Sequence, residues 1–257
     1  MITTVNPGNN KFSKNINNAI YVDKTLIIEK LNCLINTDHN KICLSRPRRF
    51  GKTMTANLIA AYYSCGCDSS SLFANTKLAN VENWDKYLNK FNVIKIDVQE
   101  IYSSIKKYGK DLSTEIELKI NKDFKVQFED ILDININAPL SENIIKIYNA
   151  TNKQFVMIMD EYDVLVRDQR DDEVLDNYLD LLNTLFKGDS IDEAFALVYL
   201  TGIFPIVKDT FQSKLNNFTE YSITSPGGLA GFIGFTEEEV KELCNSRSSF
   251  REGGLVA

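Results

Sequence analysis

"LSRPRRFGKTMT", residues Leu44–Thr55, decides how the rest of the chain is read. It closes on Gly51-Lys52-Thr53, as a phosphate-binding loop does, yet the first glycine of the pattern G-x-x-x-x-G-K-[ST] is replaced by Arg46, followed by Pro47. Backbone N–H groups at a helix start point outward and, with the helix dipole, favour an anion. Gly51 lets the backbone approach a phosphate, Lys52 reaches terminal phosphates, and Thr53 offers a hydroxyl to Mg2+. Pro47 has no N–H to donate, but the donors from Arg48 to Thr53 remain, so Arg48, Arg49, Phe50, Gly51, Lys52, Thr53 and Met54 form the expected nucleotide-binding segment. The competing reading is a solvated basic turn or a basic address signal. Gly-Lys-Thr alone recurs by chance in about one chain in ten of this length, so its flanks decide. "KICLS", 41–45, reads as a buried strand and "MTANLIAAYYS" as a helix, the setting an anion site needs.

Outward from the loop, strands alternate with helices. "NVIKID", 92–97, is a β-branched strand; "QFVMIMDEYD", 154–163, is a continuous apolar run ending in acid, as suits a parallel strand covered on both faces. "EAFALVYLTG", 193–202, gives a fourth strand and "FTEYSI", 218–223, a weaker fifth. Helical spacing is read at 26–34 (with Asp23 or Thr25 as cap), 103–133, 141–150 and 175–187. Thr236 with Glu239 forms a capping box that opens a last helix. The order predicts an α/β fold with a mostly parallel five-stranded sheet. Residues 1–19, polar and Asn-rich, are expected to cover the surface, 20–235 to form the main domain, and 236–257 to begin a truncated C-terminal region.

A chain of 257 residues with 44% apolar content can bury a core without disulfides. Net charge −6 argues against a protein that coats nucleic acid, though Arg46, Arg48, Arg49 and Lys52 make a local basic patch. Five cysteines and one histidine give no four-ligand metal spacing; Cys65-Gly66-Cys67 is read as a pair of reduced thiols rather than a zinc site. No secretory leader and no apolar run long enough to span a membrane are present, so the cytoplasm is the expected compartment.

Two further pieces carry chemistry. Asp160 ends a core strand at the sheet edge where ligands bind in open α/β folds, and Mg2+ on phosphates takes one or two carboxylates. Glu161 next to it fits the residue that polarises an attacking water. Alternatively Asp160, Glu161 and Asp163 only end a strand and cap the next segment. Thr201-Gly202 closes the fourth strand, and its hydroxyl is placed to meet a terminal phosphate or a water; a strand-ending Thr before a turn Gly also arises for structural reasons. Another strand is expected between the loop strand and the acid strand.

"YVDKT", "RPRRFGKT", "DEYD", "LTGI", "LNN" and "GFTEEEV", in this order over about residues 15–243, resemble the predicted AAA-ATPase-like proteins, which often carry a C-terminal nuclease-like domain of the PD-(D/E)-x-K type. The arginine-proline entrance is itself a trait of that family. The resemblance implies an ASCE-type P-loop fold with strand order 5-1-4-3-2. It implies phosphate and Mg2+ at Lys52 and Thr53, Asp160 as second metal partner, Glu161 as catalytic base and Thr201 as polar sensor. Tyr21 and Asp23, within "YVDKT", are implied for the base pocket. Two departures stand out: the family's Ser and cation after "LTGI" are replaced by Phe204-Pro205, leaving Lys208 or a second subunit's arginine as substitutes, and the C-terminal region is missing.

The expected function is Mg2+-dependent ATP hydrolysis coupled to conformational change. A nucleotide-gated switch or assembly module with little turnover, able to form a homo-oligomer, is the alternative. Nucleic-acid association through the basic patch or the missing C-terminal domain is the third.

Overall fold

The computed structural model of the chain describes residues 3–168, 172–206 and 215–252. Strands β1 (Lys41–Ser45), β2 (Asn92–Asp97), β3 (Phe155–Asp160), β4 (Phe195–Gly202) and β5 (Thr219–Tyr221) form one sheet in the order β2-β3-β4-β1-β5. Read from the other edge this is 5-1-4-3-2, and every pair is parallel. The fold class, the strand order and the strand inserted between the loop strand and the acid strand are therefore as expected.

Helices cover both faces. On one lie α1 (Asn10–Ile16), α2 (Ile27–Asn32) and α3 (Lys52–Tyr63); a short α4 (Ser70–Phe73) packs with them. On the other lie α5 (Val98–Ile105), α6 (Leu112–Gln127), α7 (Leu140–Thr151), the one-turn α8 (Val164–Arg167), α9 (Asp172–Phe186) and the one-turn α10 (Asp189–Asp192). The last helix, α11, spans Glu237–Glu252. This double cover explains the unbroken apolar run in β3. Val156 and Ile158 face the α3 layer while Met157 and Met159 face the α5–α7 layer, so alternate residues meet different cores and all are buried.

Two expectations need correction. Residues 3–16 do more than cover the surface. Val5 is fully buried and bridges antiparallel to Ile94; Thr4 O and Val93 O accept from Lys95 N and Asn6 N, which pairs the segment to the open edge of β2. Phe12 stacks on Phe73 at 5.1 Å. Single apolar residues among asparagines carry no periodicity, so this packing left no pattern to read. The span 103–133 is not one helix: α5 ends at Ile105, α6 runs Leu112–Gln127, and residues 128–133 lie outside any helix. Gly109, at φ +63, separates the α5 end from α6, whose Asp111 cap accepts from Thr114 N at 2.8 Å. The capping box at Thr236 forms in both directions: Thr236 N donates to Glu239 Oε2 at 2.8 Å, and Glu239 N to Thr236 Oγ1 at 3.3 Å.

Candidate functional site

The parallel register brings the chemistry-bearing residues to one edge. Leu44 of β1, Thr201 of β4 and Asp160 of β3 are aligned across neighbouring strands. The loop between β1 and α3 therefore sits over the ends of β4 and β3. Arg49 (φ +71) and Gly51 (φ +80) are both left-handed within it, and α3 begins at Lys52. A non-glycine residue in that region is uncommon and, when found, concentrates at functional loops.

Lys52 is 5% exposed; its ammonium donates to Arg46 O at 3.1 Å and Pro47 O at 3.2 Å and lies 3.7 Å from Glu161 Oε1. Thr53 Oγ1 donates to Asp160 Oδ2 at 2.6 Å. The other carboxylate oxygen accepts from Glu161 N at 3.1 Å. Burial pushes the Asp160 carboxyl above its ordinary range, against the Thr53 hydrogen bond and with help from the nearby Asp97 charge. Thr201 is fully buried and its hydroxyl has no hydrogen-bond partner among the described residues, an unmet polar group next to the phosphate loop.

Glu161 sits at φ +54, in the left-handed region. Its Oε2 lies 2.7 Å from Arg167 Nη1. Arg167 also reaches Gln99 Oε1 at 3.2 Å and Asp163 Oδ1 at 3.5 Å. Asp163, fully buried, accepts from Ile203 N at 2.9 Å and Phe204 N at 2.7 Å, and so ties the end of β3 to the turn after β4. Gly202 is required there: a Cβ would stand 2.8 Å from both Asp163 Oδ1 and Tyr162 Cε1. Arg167 was missed in the sequence because a cation seven residues past Asp160 carries no motif; its partners come together only in three dimensions. Lys208 lies outside the described residues.

Arg46 departs from expectation. Its side chain is 4% exposed and turns inward, where Nη1 donates to Ser45 O at 2.9 Å and Tyr221 O at 3.1 Å. It fastens β1 to β5 and does not belong to the basic patch, which is left to Arg48 and Arg49, both exposed.

Next to the loop an apolar cleft of about 130 Å³ is lined by Tyr21, Arg49, Phe50, Gly51 and Met54 among the expected residues, and by Phe12, Ile20, Phe232 and Phe235, which were not foreseen. Asp23 is not among the lining residues. Its Oδ1 accepts from Thr25 N and Thr25 Oγ1, and its Oδ2 from Lys77 N at 2.7 Å, so it shapes the turn that presents Tyr21. Burial, then the Asp23 charge, push the Tyr21 phenol up. The far wall comes from 232–235, held by Lys24, which donates to Gly231 O at 2.7 Å and pairs with Glu239 at 2.5 Å. Gly234 (φ +83) is needed where Phe50 packs, since a Cβ would meet Phe50 Cδ1 at 2.9 Å.

The model of a family described as predicted AAA-ATPase matches residues 8–212. The chain belongs to the predicted AAA-ATPase family. That membership carries the P-loop fold and nucleotide binding, and the matched span holds every side chain from Lys52 to Thr201 that meets at the sheet edge. The cleft's Phe232 and Phe235 lie beyond it. No curated protein matches the chain. No helix among the described residues is long and apolar enough to cross a membrane. No group of three or more His, Cys, Asp or Glu side chains suited to a metal occurs among them either. The hard-oxygen pair Thr53 and Asp160 instead fits an ion that takes its remaining ligands from water and phosphate, as Mg2+ does.

Proposed function

We propose that this predicted AAA-ATPase binds ATP with Mg2+ at the β1–α3 loop and hydrolyses it, with turnover coupled to a change of shape. The 2.6 Å contact between Thr53 Oγ1 and Asp160 Oδ2 carries the reading, because it joins the loop to the acid strand. Thr53 and Asp160 would hold the ion, which when bound offsets phosphate charge. Loop amides from Arg48 to Thr53 and the Lys52 ammonium would hold the phosphates. Tyr21, Phe50 and Met54 would take the base in the apolar cleft. Thr201 would orient the terminal phosphate or a water through its unpaired hydroxyl. Glu161, one residue past Asp160, would accept a proton from that water. In the test, purified protein releases phosphate from ATP with Mg2+, and Glu161→Gln stops release while sparing ATP binding. Absence of release by the wild type under varied salt and pH would remove the hydrolase claim.

A second reading, a nucleotide-gated switch with little turnover, is favoured by one observation. Glu161 Oε2 lies 2.7 Å from Arg167 and Oε1 3.7 Å from Lys52, so both carboxylate oxygens face a cation that competes with water. Tight ATP binding with negligible phosphate release, and oligomer size that changes with nucleotide, would support it.

A further inference from the structure

Near the open edge of β2, a second cavity lies between residues 3–14, α3 and the carboxyl end of that strand. It spans about 520 Å³. Lys11 and Lys14 of α1, Lys95 of β2 and Lys119 of α6 line it. None of these lysines has an ion pair among the described residues. That is unexpected in a chain of net charge −6, where acids are in excess. Lys95 is half-buried. Burial, then the Lys11 charge, lower its pKa against the pull of Asp160, Asp97 and Glu100. Lys95, the one partly buried member, is the one whose charge an anion in the cavity would offset; the three exposed lysines add positive potential around it.

A neutral side chain points the same way. Asn57, 8% exposed, lines the cavity from α3. Its Nδ2 donates to Asn15 Oδ1 at 3.2 Å, but its Oδ1 has no partner among the described residues. A buried amide of this kind calls for a ligand or water. Asp97 and Glu100 lie on the wall. They would repel a continuous phosphate chain, yet accept from hydroxyl or amino groups of a single small molecule.

We propose that this cavity is a second binding site, for a phosphate-bearing small molecule of about mononucleotide size. A cavity of about 520 Å³ falls within the range of small-molecule sites. The lysines hold its phosphate, and Asn57 with Asp97 reads its polar body. The site adjoins the metal-side residues: Asn57 follows Thr53 by one helical turn, and Asp97 pairs in register with Asp160. Its occupant is thereby placed to report to the β1–α3 loop.

The test is calorimetric titration of AMP and of pyrophosphate into Lys52→Ala protein, whose phosphate loop is weakened, so that the lysine variants separate the two sites. A single-stranded oligonucleotide forms a third arm. The expected result is one retained site, weakened about tenfold or more when exposed Lys11, Lys14 and Lys119 are all changed to Gln, the scale of one lost charge-assisted contact. These three side chains are exposed, and an unchanged melting midpoint verifies the fold. Asn57→Leu in the same background weakens AMP more than pyrophosphate. No binding of AMP or pyrophosphate at millimolar concentration overturns the proposal, as does binding that the triple variant leaves unaltered. Oligonucleotide bound through the same lysines more tightly than AMP also overturns it, in favour of a nucleic-acid surface.

Discussion

Replacing Arg167 by Gln removes the cation 2.7 Å from Glu161 Oε2 while keeping a shorter, neutral polar side chain. Both partners are largely buried, with side-chain exposures of 12% and 20%, so water screens the pair little. The two groups meet as an ion pair rather than a hydrogen bond, and a close, largely buried charge pair of this kind contributes about 1.5–3 kcal/mol, the low end for such couplings. Because each 1.4 kcal/mol is a factor of ten, the arrangement with Glu161 released becomes about 10- to 150-fold more populated. If release of that carboxylate limits hydrolysis, kcat for ATP rises by up to that factor and KM stays nearly constant. A cost accompanies the gain. Asp163 loses its 3.5 Å neighbour but keeps the Ile203 and Phe204 amides, so stability falls by about 1–3 kcal/mol, or several degrees in Tm. Steady-state phosphate release with saturating ATP and Mg2+, read beside a thermal melt, checks both numbers. A folded variant whose kcat drops tenfold or more would refute the reasoning. It would show that the guanidinium acts on the transferring phosphate, supplying the cation that Phe204-Pro205 lacks.

Asp160→Asn tests the buried carboxyl. Its folded pKa lies above the ordinary value of about 3.9, so the charge is paid for by the fold at neutral pH. Its stability contribution is most favourable below the unfolded pKa and is lost as pH rises through the folded one. The variant should therefore melt higher than wild type at pH 7, with the difference vanishing toward pH 3, while Mg2+ ceases to strengthen ATP binding. Gly202→Ala, whose added carbon meets Asp163 and Tyr162 at 2.8 Å, should lose about 1–3 kcal/mol in urea unfolding. Arg46→Met should destabilise by about 2–3 kcal/mol through the carbonyls of Ser45 and Tyr221, leaving ATP affinity in the folded protein close to wild type; Arg49→Ala should do the reverse.

The parts legible in the sequence share one property: each is local. The buried strand, the Gly51-Lys52-Thr53 turn and the helix after it are contiguous, and Asp160 closes an apolar run whose length marks a covered strand. A parallel sheet then gathers such strand ends at one edge, so Lys52, Thr53, Asp160 and Thr201 meet without any long-range signal being read. What escaped depends on contacts between distant segments. Arg46 looks like part of a basic patch until Tyr221 O draws it inward. Arg167 gains meaning only from Glu161, Asp163 and Gln99. The cleft wall at Phe232 and Phe235 depends on Lys24 meeting Glu239 across the fold. Val5 and Phe12 are single apolar residues in a polar stretch, and their burial is set by β2 and Phe73 rather than by their neighbours.

The most direct test titrates labelled ATP into wild-type and Lys52→Ala protein, each with and without Mg2+. Wild type should bind ATP, more tightly with the ion, and Lys52→Ala should lose about tenfold or more, the worth of a charge-assisted contact to phosphate. Equal affinity in all four titrations would contradict a nucleotide and metal centre built on Lys52, Thr53 and Asp160.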